Sequence, residues 1–445
     1  MLIEGDAVVT INPARRVLAP GWVQVERSDI VAVGAGPPPA TAGPVAHRAG
    51  VVLPGLVSAH QHLLDVVARG TWRGDDFPTW LLDRFGAAVA ALGPEDCATA
   101  TAAALAGTVA GGVTTVVDCW GLDVGARSRA GVDEAADACL EVHRASGARV
   151  LFARMFAETA PPAWHRRSGF PVAAVLAPAD AALDQVAGLA ARHHGSADGR
   201  IRVAPSPELP EAVSPAAFRA ARDLAAELGT PLPLHLCASP ASRAACGPGE
   251  LDAMGVLDAG LLAAHCTAVD DADIAALAGA GVAVAHCPTS NLALRGAVTP
   301  VAAFRRAGAP VGLGLDNGSL NPRLDLLGEA RAAIAASIAR GDPLAPSDVL
   351  AMATIEGARA VGLADVTGSI EVGKRADLVL LDTGGDHWWP HADIVDAVVE
   401  QSRPTDVRLV MVDGAVVAVD GVAVHVPVDR PALVALAARV RATLP

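Results

Sequence analysis

Tyrosine is absent from this 445-residue chain, and lysine occurs once, at Lys374. Without tyrosine, no phenol can serve as acid or base. With a single lysine, a phosphate loop of the Walker type and a Schiff-base mechanism are excluded unless Lys374 itself acts. Aromatic residues make up 3% of the chain. No dense Lys/Arg patch occurs, and the net charge is −14, so neither nucleic acid nor an anionic membrane is the expected partner. The apolar stretches are broken by Gly, Pro or charge before the roughly 18 residues a membrane span needs. No basic segment followed by an apolar one opens the chain, so no signal peptide is expected. The cysteines number seven, an odd count, with no CxxC pair. That spacing suits a reduced, cytoplasmic protein and not a disulfide scaffold.

What is present is core-forming sequence. Hydrophobic residues are 52% and charged residues 18%. The length allows a large catalytic domain and a smaller one. Residues 1–34 alternate short β-like pieces with turns and read as small antiparallel sheet, followed by a Pro/Gly-rich loop at 35–50. From residue 51, apolar strands alternate with Ala-rich helical segments. Eight strands are expected at 51–58, 113–118, 149–156, 200–205, 231–237, 260–266, 281–287 and 310–316. Helical text lies between most of them, at 95–110, 132–146, 178–193, 214–228 and 269–280. Continuous apolar strands are those buried on both faces. Eight β-then-α units predict an α/β fold, a (β/α)8 TIM barrel, with a doubly wound sheet as the alternative. After residue 368 the β texture returns, and 430–443 reads as a final helix. The expected organisation is therefore a first part of a β-sandwich at 1–50 and a barrel at 51–367. The second part of the sandwich, with the terminal helix, follows at 368–445.

Barrel enzymes carry their chemistry at the C-terminal ends of the strands. Those ends read His60 and His62, Asp118, His235, His265, His286 and Asp316. On a strand, residues two apart share a side, so the two imidazoles of His60-Gln61-His62 aim together. A lone histidine at a strand end is usually structural; five with a carboxylate at one barrel mouth suit a divalent cation. Three imidazoles and a carboxylate satisfy Zn²⁺ or Fe²⁺ and leave a position for water, whose pKa such an ion lowers towards ~7. Asp316 can bind the cation and accept the proton of that water, with His265 over the attacked atom. His286 reads as a second layer, a substrate contact or a packed residue, and Asp118 as a helix N-cap. His143, His165, His193 and His194 read as solvated. His387 and His391 read as possible lid or interface residues.

The chain resembles the amidohydrolase superfamily, in its deaminase/chlorohydrolase branch, almost end to end. The resemblance is carried by Pro54-Gly55-Leu56-Val57-Ser58-Ala59-His60-Gln61-His62-Leu63 and by Gly111-Gly112-Val113-Thr114-Thr115-Val116-Val117-Asp118. It continues through Ala264-His265-Cys266, Ala285-His286-Cys287-Pro288-Thr289-Ser290-Asn291 and Val311-Gly312-Leu313-Gly314-Leu315-Asp316-Asn317. It closes with Gly368-Ser369-Ile370-Glu371-Val372-Gly373-Lys374-Arg375-Ala376-Asp377. The resemblance implies a metal-dependent hydrolase of a small, cyclic nitrogen compound and one divalent ion per chain, zinc first and iron second. It implies His60, His62, His235 and Asp316 as ligands, and Asp316 and His265 as the catalytic pair. A homodimer is also implied. Binuclear members use a carboxylated lysine, and Lys374 lies in the terminal β region, so a mononuclear centre is expected.

Two positions depart from the family pattern. The fifth-strand motif His-x-x-Glu reads His235-Leu236-Cys237-Ala238, and Ala238 cannot shuttle a proton. A positioned acid or base contributes roughly 10²–10⁴-fold. Glu208 could replace it, Asp316 and His265 could share the work, or the reaction could be an elimination that protonates no amine. A non-catalytic ligand-binding relative is the third reading. Thr79 stands where adenosine-type deaminases of the branch carry a substrate-binding Glu. Candidate substrate contacts are His265, His286, Glu208, Trp80 and Asn317, with Arg69, Trp72, Arg154 and Trp164 as further pocket candidates.

Overall fold

The computed structural model describes residues 1–72, 74, 79–80, 86, 89, 92–121, 129–161, 176–294 and 297–443. Strands β1 (Leu2–Val9), β2 (Val17–Leu18), β3 (Gly21–Glu26), β4 (Asp29–Ala35) and β5 (Val45–Pro54) open the chain. They join β15 (Leu378–Leu381), β16 (Val407–Val412), β17 (Ala415–Val419) and β18 (Val422–Ala423) in one nine-stranded sheet. The order is β18-β17-β16-β15-β5-β1-β3-β4, with β2 on β1. Both ends of the chain thus build one β-rich unit, as the texture at each end predicts. The two layers expected of a sandwich are continuous in their hydrogen bonding. One face of the sheet buries Ile3, Val8, Val23, Val52, Leu378 and Leu380 against one another. The other face (Val9, Val51, Leu53, Val379, Leu381) joins the core beneath the barrel.

The barrel strands are β6 (Leu56–His62), β7 (Val113–Trp120), β8 (Arg149–Phe156), β9 (Ile201–Pro207), β10 (Leu232–Leu236), β11 (Leu261–His265), β12 (Ala283–His286) and the two-part β13–β14 (Val311–Leu313, Asp316–Asn317). All pairings are parallel, in the orders β14-β6-β7-β8-β9 and β10-β11-β12-β13. The eighth strand closes one seam, since β13 pairs with β12 and β14 with β6. At the other seam, His235 N–H donates to Glu208 O at 3.2 Å and Ser206 Oγ to Pro233 O at 2.8 Å. The helices fall where the sequence places them, at Pro94–Ala110, Arg129–Ser146, Ala179–His193, Pro215–Glu227, Asp271–Gly279 and Arg430–Thr443.

The expected strand at 51–58 is two strands. Residues 45–54 belong to the terminal sheet, and the first barrel strand begins only after Gly55. That glycine is required: a Cβ there would lie 2.1 Å from Thr114 Oγ1. Sheet and barrel are clamped by Arg149, whose Nε and Nη2 donate to Asp377 at 2.7 and 3.1 Å. Lys374 serves the same junction, donating to Ala364 O at 2.5 Å and Ser369 Oγ at 2.6 Å, far from any chemistry.

Candidate functional site

The histidines of β6 face the barrel axis because the strand carries one extra residue. Ser58 pairs with Val116 and Gln61 with Asp118, so three steps on β6 oppose two on β7. Val57 and Ala59 belong to the interior cluster. Strict alternation would then send Gln61 inward, but Gln61 Nε2 donates outward to Thr108 Oγ1 of the 94–110 helix at 2.9 Å. The bulge moves the inward role to His60 and His62.

Three imidazoles and a carboxylate then meet. His60 Nε2 lies 3.1 Å from His62 Nε2, which lies 3.3 Å from His235 Nε2. Asp316 Oδ1 is 3.7 Å from His60 Nε2 and 3.6 Å from His62 Nε2. The outer nitrogens are tied. His62 Nδ1–H donates to Cys119 O at 2.9 Å, and His235 Nδ1–H to Glu208 O at 2.8 Å. These bonds put the ring protons outward, so the inner Nε2 atoms present lone pairs. Lone pairs facing one another at such distances repel unless a cation lies among them. A tetrahedral Zn²⁺ with ligands at ~2.0–2.1 Å holds its donors about 3.3–3.4 Å apart. The donor set therefore fits a divalent cation.

Burial enforces the same charge state. Desolvation, then repulsion from His62, His235 and His265, holds His60 well below the usual imidazole range. Desolvation likewise lowers His62, and it lowers His235 to about 3. Burial would raise Asp316, but the imidazoles of His265 and His62 and the Ser290 hydroxyl outweigh it, and its carboxyl falls below the usual range. Asp65, three residues past His62, has no such company. Desolvation and the neighbouring Asp316 and Asp118 push it well above the carboxylate range.

His265 reaches the site through its backbone. Leu262 and Ala264 face the interior and Ala263 faces out, so alternation would turn His265 outward. A φ of +74° breaks the alternation. The ring stands 5.5 Å from that of His60 and 5.4 Å from that of His235. Its Nδ1–H donates to Asn291 Oδ1 at 2.8 Å, Asn291 Nδ2 to Thr299 Oγ1 at 3.3 Å, and Thr299 Oγ1 to His265 O at 2.6 Å. Asp316 (φ 54°), Cys237 (φ 48°) and Cys266 (φ 46°) share the left-handed conformation. Each such residue costs on the order of 1–3 kcal/mol, and such strain collects at working sites.

The remaining candidates divide. His286 is buried, its Nδ1 has no hydrogen-bond partner among the described residues, and desolvation and His265 lower it to about 3. Glu208 meets the site through its carbonyl, on His235. Asn317 Oδ1 is occupied by Ser319 N–H, Ser319 Oγ–H and Leu320 N–H, and Trp80 Nε1 donates to Ser319 Oγ at 3.0 Å. That chain reaches Asp316 through Asn317 Nδ2, 3.5 Å from Asp316 Oδ1. Arg154 is packed behind the barrel, donating to Gln185 Oε1 at 2.6 Å. Arg69 is exposed and Trp72 half-buried. Trp164 and His165 lie outside the described residues, and Ala238 is half-buried, its carbonyl accepting from Thr267 Oγ1 at 2.9 Å.

Several expectations are corrected. Asp118 is not a solvent-facing N-cap of the helix after its own strand: it accepts the N–H of Leu63, the first residue of the 3-10 turn Leu63–Ala68, at 3.2 Å and pairs with His143 Nε2 at 2.8 Å. His143, expected in solvent, is fully buried in that pair, because the 129–146 helix lays this face on β7. His193 is buried too, beside Asp137 at 2.7 Å. His387 pairs with Asp406 at 2.9 Å and His391 with Trp388 O at 2.8 Å, both structural ties. Sequence reading missed Cys119, Asn291 and Thr299, which contact His60, His62 and His265 from behind.

A parallel barrel whose strand ends converge three imidazoles and a carboxylate defines a metal-dependent hydrolase of the TIM-barrel class. The chain belongs to the amidohydrolase family, which it matches over residues 51–417. It is 34% identical over 434 residues to a 5-methylthioadenosine/S-adenosylhomocysteine deaminase of Symbiobacterium thermophilum, covering 94% of this chain and 93% of the relative. An S-triazine hydrolase of Gordonia rubripertincta is 36% identical over 251 residues, 55% of this chain and 52% of the relative. Among solved structures, an adenosine deaminase from Xanthomonas campestris with bound zinc superposes with a TM-score of 0.85 at 30% identity, over 100% of this chain and 98% of that one. The atrazine chlorohydrolase TrzN of Arthrobacter aurescens, complexed with zinc, shares the fold at a TM-score of 0.84 and 24% identity, over all of both chains. The protein is an enzyme of the amidohydrolase type, acting on carbon–nitrogen bonds other than peptide bonds.

Proposed function

We propose that the enzyme hydrolyses a C–N or C–halogen bond of a small, cyclic nitrogen compound, using one divalent cation, zinc first, held by His60, His62, His235 and Asp316. The observation that carries this is the convergence of three Nε2 atoms at 3.1 and 3.3 Å with their outer nitrogens tied away. When bound there, the cation supplies a Lewis acid that makes water a nucleophile near neutral pH. Asp316, held ionised, accepts the proton of the attacking water. His265, its Nδ1–H fixed on Asn291, turns Nε2 to the attacked group and polarises it as the doubly protonated imidazolium, through Nε2–H. Relatives named for adenosine-type deamination support an amino-substituted heterocycle, while Thr79 withholds the carboxylate expected for a nucleoside. The homodimer and the cytoplasmic setting rest on the resemblance and on the cysteines, all seven buried and none in a disulfide among the described residues.

Asp316→Asn should abolish turnover in protein carrying about one equivalent of metal per chain; a variant with wild-type rates would remove Asp316 from the mechanism. Ala238 favours a second reading, an elimination in which no amine is protonated. Turnover in ¹⁸O-labelled water separates the two: hydrolysis puts solvent oxygen in the product, and elimination does not.

A further inference from the structure

Cys119 holds both histidines of the His60-Gln61-His62 pair. Its carbonyl oxygen accepts His62 Nδ1–H at 2.9 Å, and its Sγ lies 3.3 Å from His60 Nδ1. The geometry follows from the sheet. A strand residue sends its carbonyl along the sheet and its side chain across it, so one residue at the end of β7 meets two rings of β6 in two directions. Asp118 takes the outward side towards His143, and Cys119 the inward side, where it joins the interior cluster. The residue is 4% exposed, so both contacts are shielded from bulk solvent.

The two contacts differ in kind. The outer nitrogens of His62 and His235 meet carbonyl oxygens, and that of His265 meets an amide oxygen. Only His60, among these four, meets sulfur, which is a weak acceptor. A ring whose outer N–H is bound by a strong acceptor becomes a more basic ligand and is fixed more firmly. We propose that Cys119 is the positioning residue of the cation site. It locks the bulged pair in register by its carbonyl and orients His60 by its thiol, so that His60 is the ligand of weakest donor strength. The proposal rests on the reading of His60, His62, His235 and Asp316 as one cation site, and it concerns how that site is held.

The test uses Cys119→Val, which fills the same space without an acceptor and leaves the backbone carbonyl in place, beside Cys119→Ser, which keeps a polar atom. Zn²⁺ affinity is measured by chelator competition on the full chain, and Co²⁺-loaded protein gives a ligand-field spectrum that reports ligand geometry. Urea unfolding of the metal-free proteins controls for stability. Cys119→Val should bind Zn²⁺ about 10–100-fold more weakly, the usual loss for such an outer contact, with shifted Co²⁺ bands, and Cys119→Ser should bind more tightly than Cys119→Val. A valine variant with wild-type affinity and unchanged bands overturns the proposal while leaving the cation site standing. Wild-type protein that takes up neither ion overturns the site reading and the proposal together. If valine does not fold, Cys119→Ala supplies the same comparison with the same two outcomes.

Discussion

Asp118 Oδ2 lies 2.8 Å from His143 Nε2, with both side chains fully buried, while Oδ1 of the same carboxylate accepts Leu63 N–H at 3.2 Å. One carboxylate therefore joins the outer helix at 129–146 to the turn that follows His62. The neighbouring residue, Cys119, holds the rings of His60 and His62. Removing the carboxylate leaves a buried imidazole N–H and a backbone N–H without partners. Asp118→Ala should lower unfolding free energy by about 1–3 kcal/mol, read from urea denaturation. An unchanged midpoint would show that the pair contributes nothing.

Gly314 sits against His60. A Cβ there would lie 2.8 Å from both Cys287 Sγ and His60 O, and 3.0 Å from His60 Cβ. The backbone on that side cannot yield without moving β6. Gly314→Ala should therefore displace His60, at about 1–3 kcal/mol of stability for overpacking. Metal content after dialysis should fall in parallel. Full metal retention would mean that the barrel absorbs the methyl elsewhere.

His286 gives a pH dependence with a fixed sign. Its ordinary value is 6.5, and burial with His265 lowers it to about 3 in the folded protein. Between those values the unfolded chain binds a proton that the folded chain does not. Stability is thus fully present above pH 6.5 and is lost as pH falls towards 3, by up to about 1.4 kcal/mol per pH unit for one group. His286→Gln should flatten the acid side of the stability curve. An identical slope in wild type and variant would show that His286 ionises in the folded state as it does in the unfolded one.

The junction between barrel and terminal sheet rests on a buried pair, Arg149 with Asp377, and Asp377 Oδ1 also accepts Asp413 N–H at 2.9 Å. Arg149 also pairs with Asp413, so losing Asp377 leaves its charge partly compensated. Asp377→Ala should cost about 1–3 kcal/mol by calorimetry or denaturant. A loss below 1 kcal/mol would place the strength of the junction in its apolar contacts.

Much of this architecture is legible in the chain. The eight parallel strands read as unbroken apolar runs because both faces are buried, and His60, His62, His235, His265 and Asp316 stand at their ends because the barrel mouth is where the cores stop. What the sequence hides is conformational. Nothing in Val57-Ser58-Ala59-His60 announces a bulge, because its extra residue is defined only against Val116 and Asp118 on β7. Nothing in Ala264-His265-Cys266 announces φ values of +74° and +46°, since no glycine stands there, although histidine visits that region more readily than most residues. The break after Pro54 is marked only by the turn dipeptide Pro54-Gly55, which stands between apolar residues on both sides. The pairing of Asp118 with His143 is hidden for a related reason: partners that meet across a helix–strand interface leave no spacing in the sequence.

The terminal sheet carries a consequence for how the molecule is made. β5 is flanked by β1 on one side and by β15 on the other, Leu378 lying opposite Pro54. Every barrel residue is synthesised between those two partners. Until Leu378–Leu381 leaves the ribosome, the inner edge of β5, with Val51, Val52 and Leu53, has no strand to pair with. Such an edge is a template for another chain. Fragments ending before Leu378 would keep all the residues of the candidate site and still present that open edge, so the last strands protect the first ones as much as they complete them.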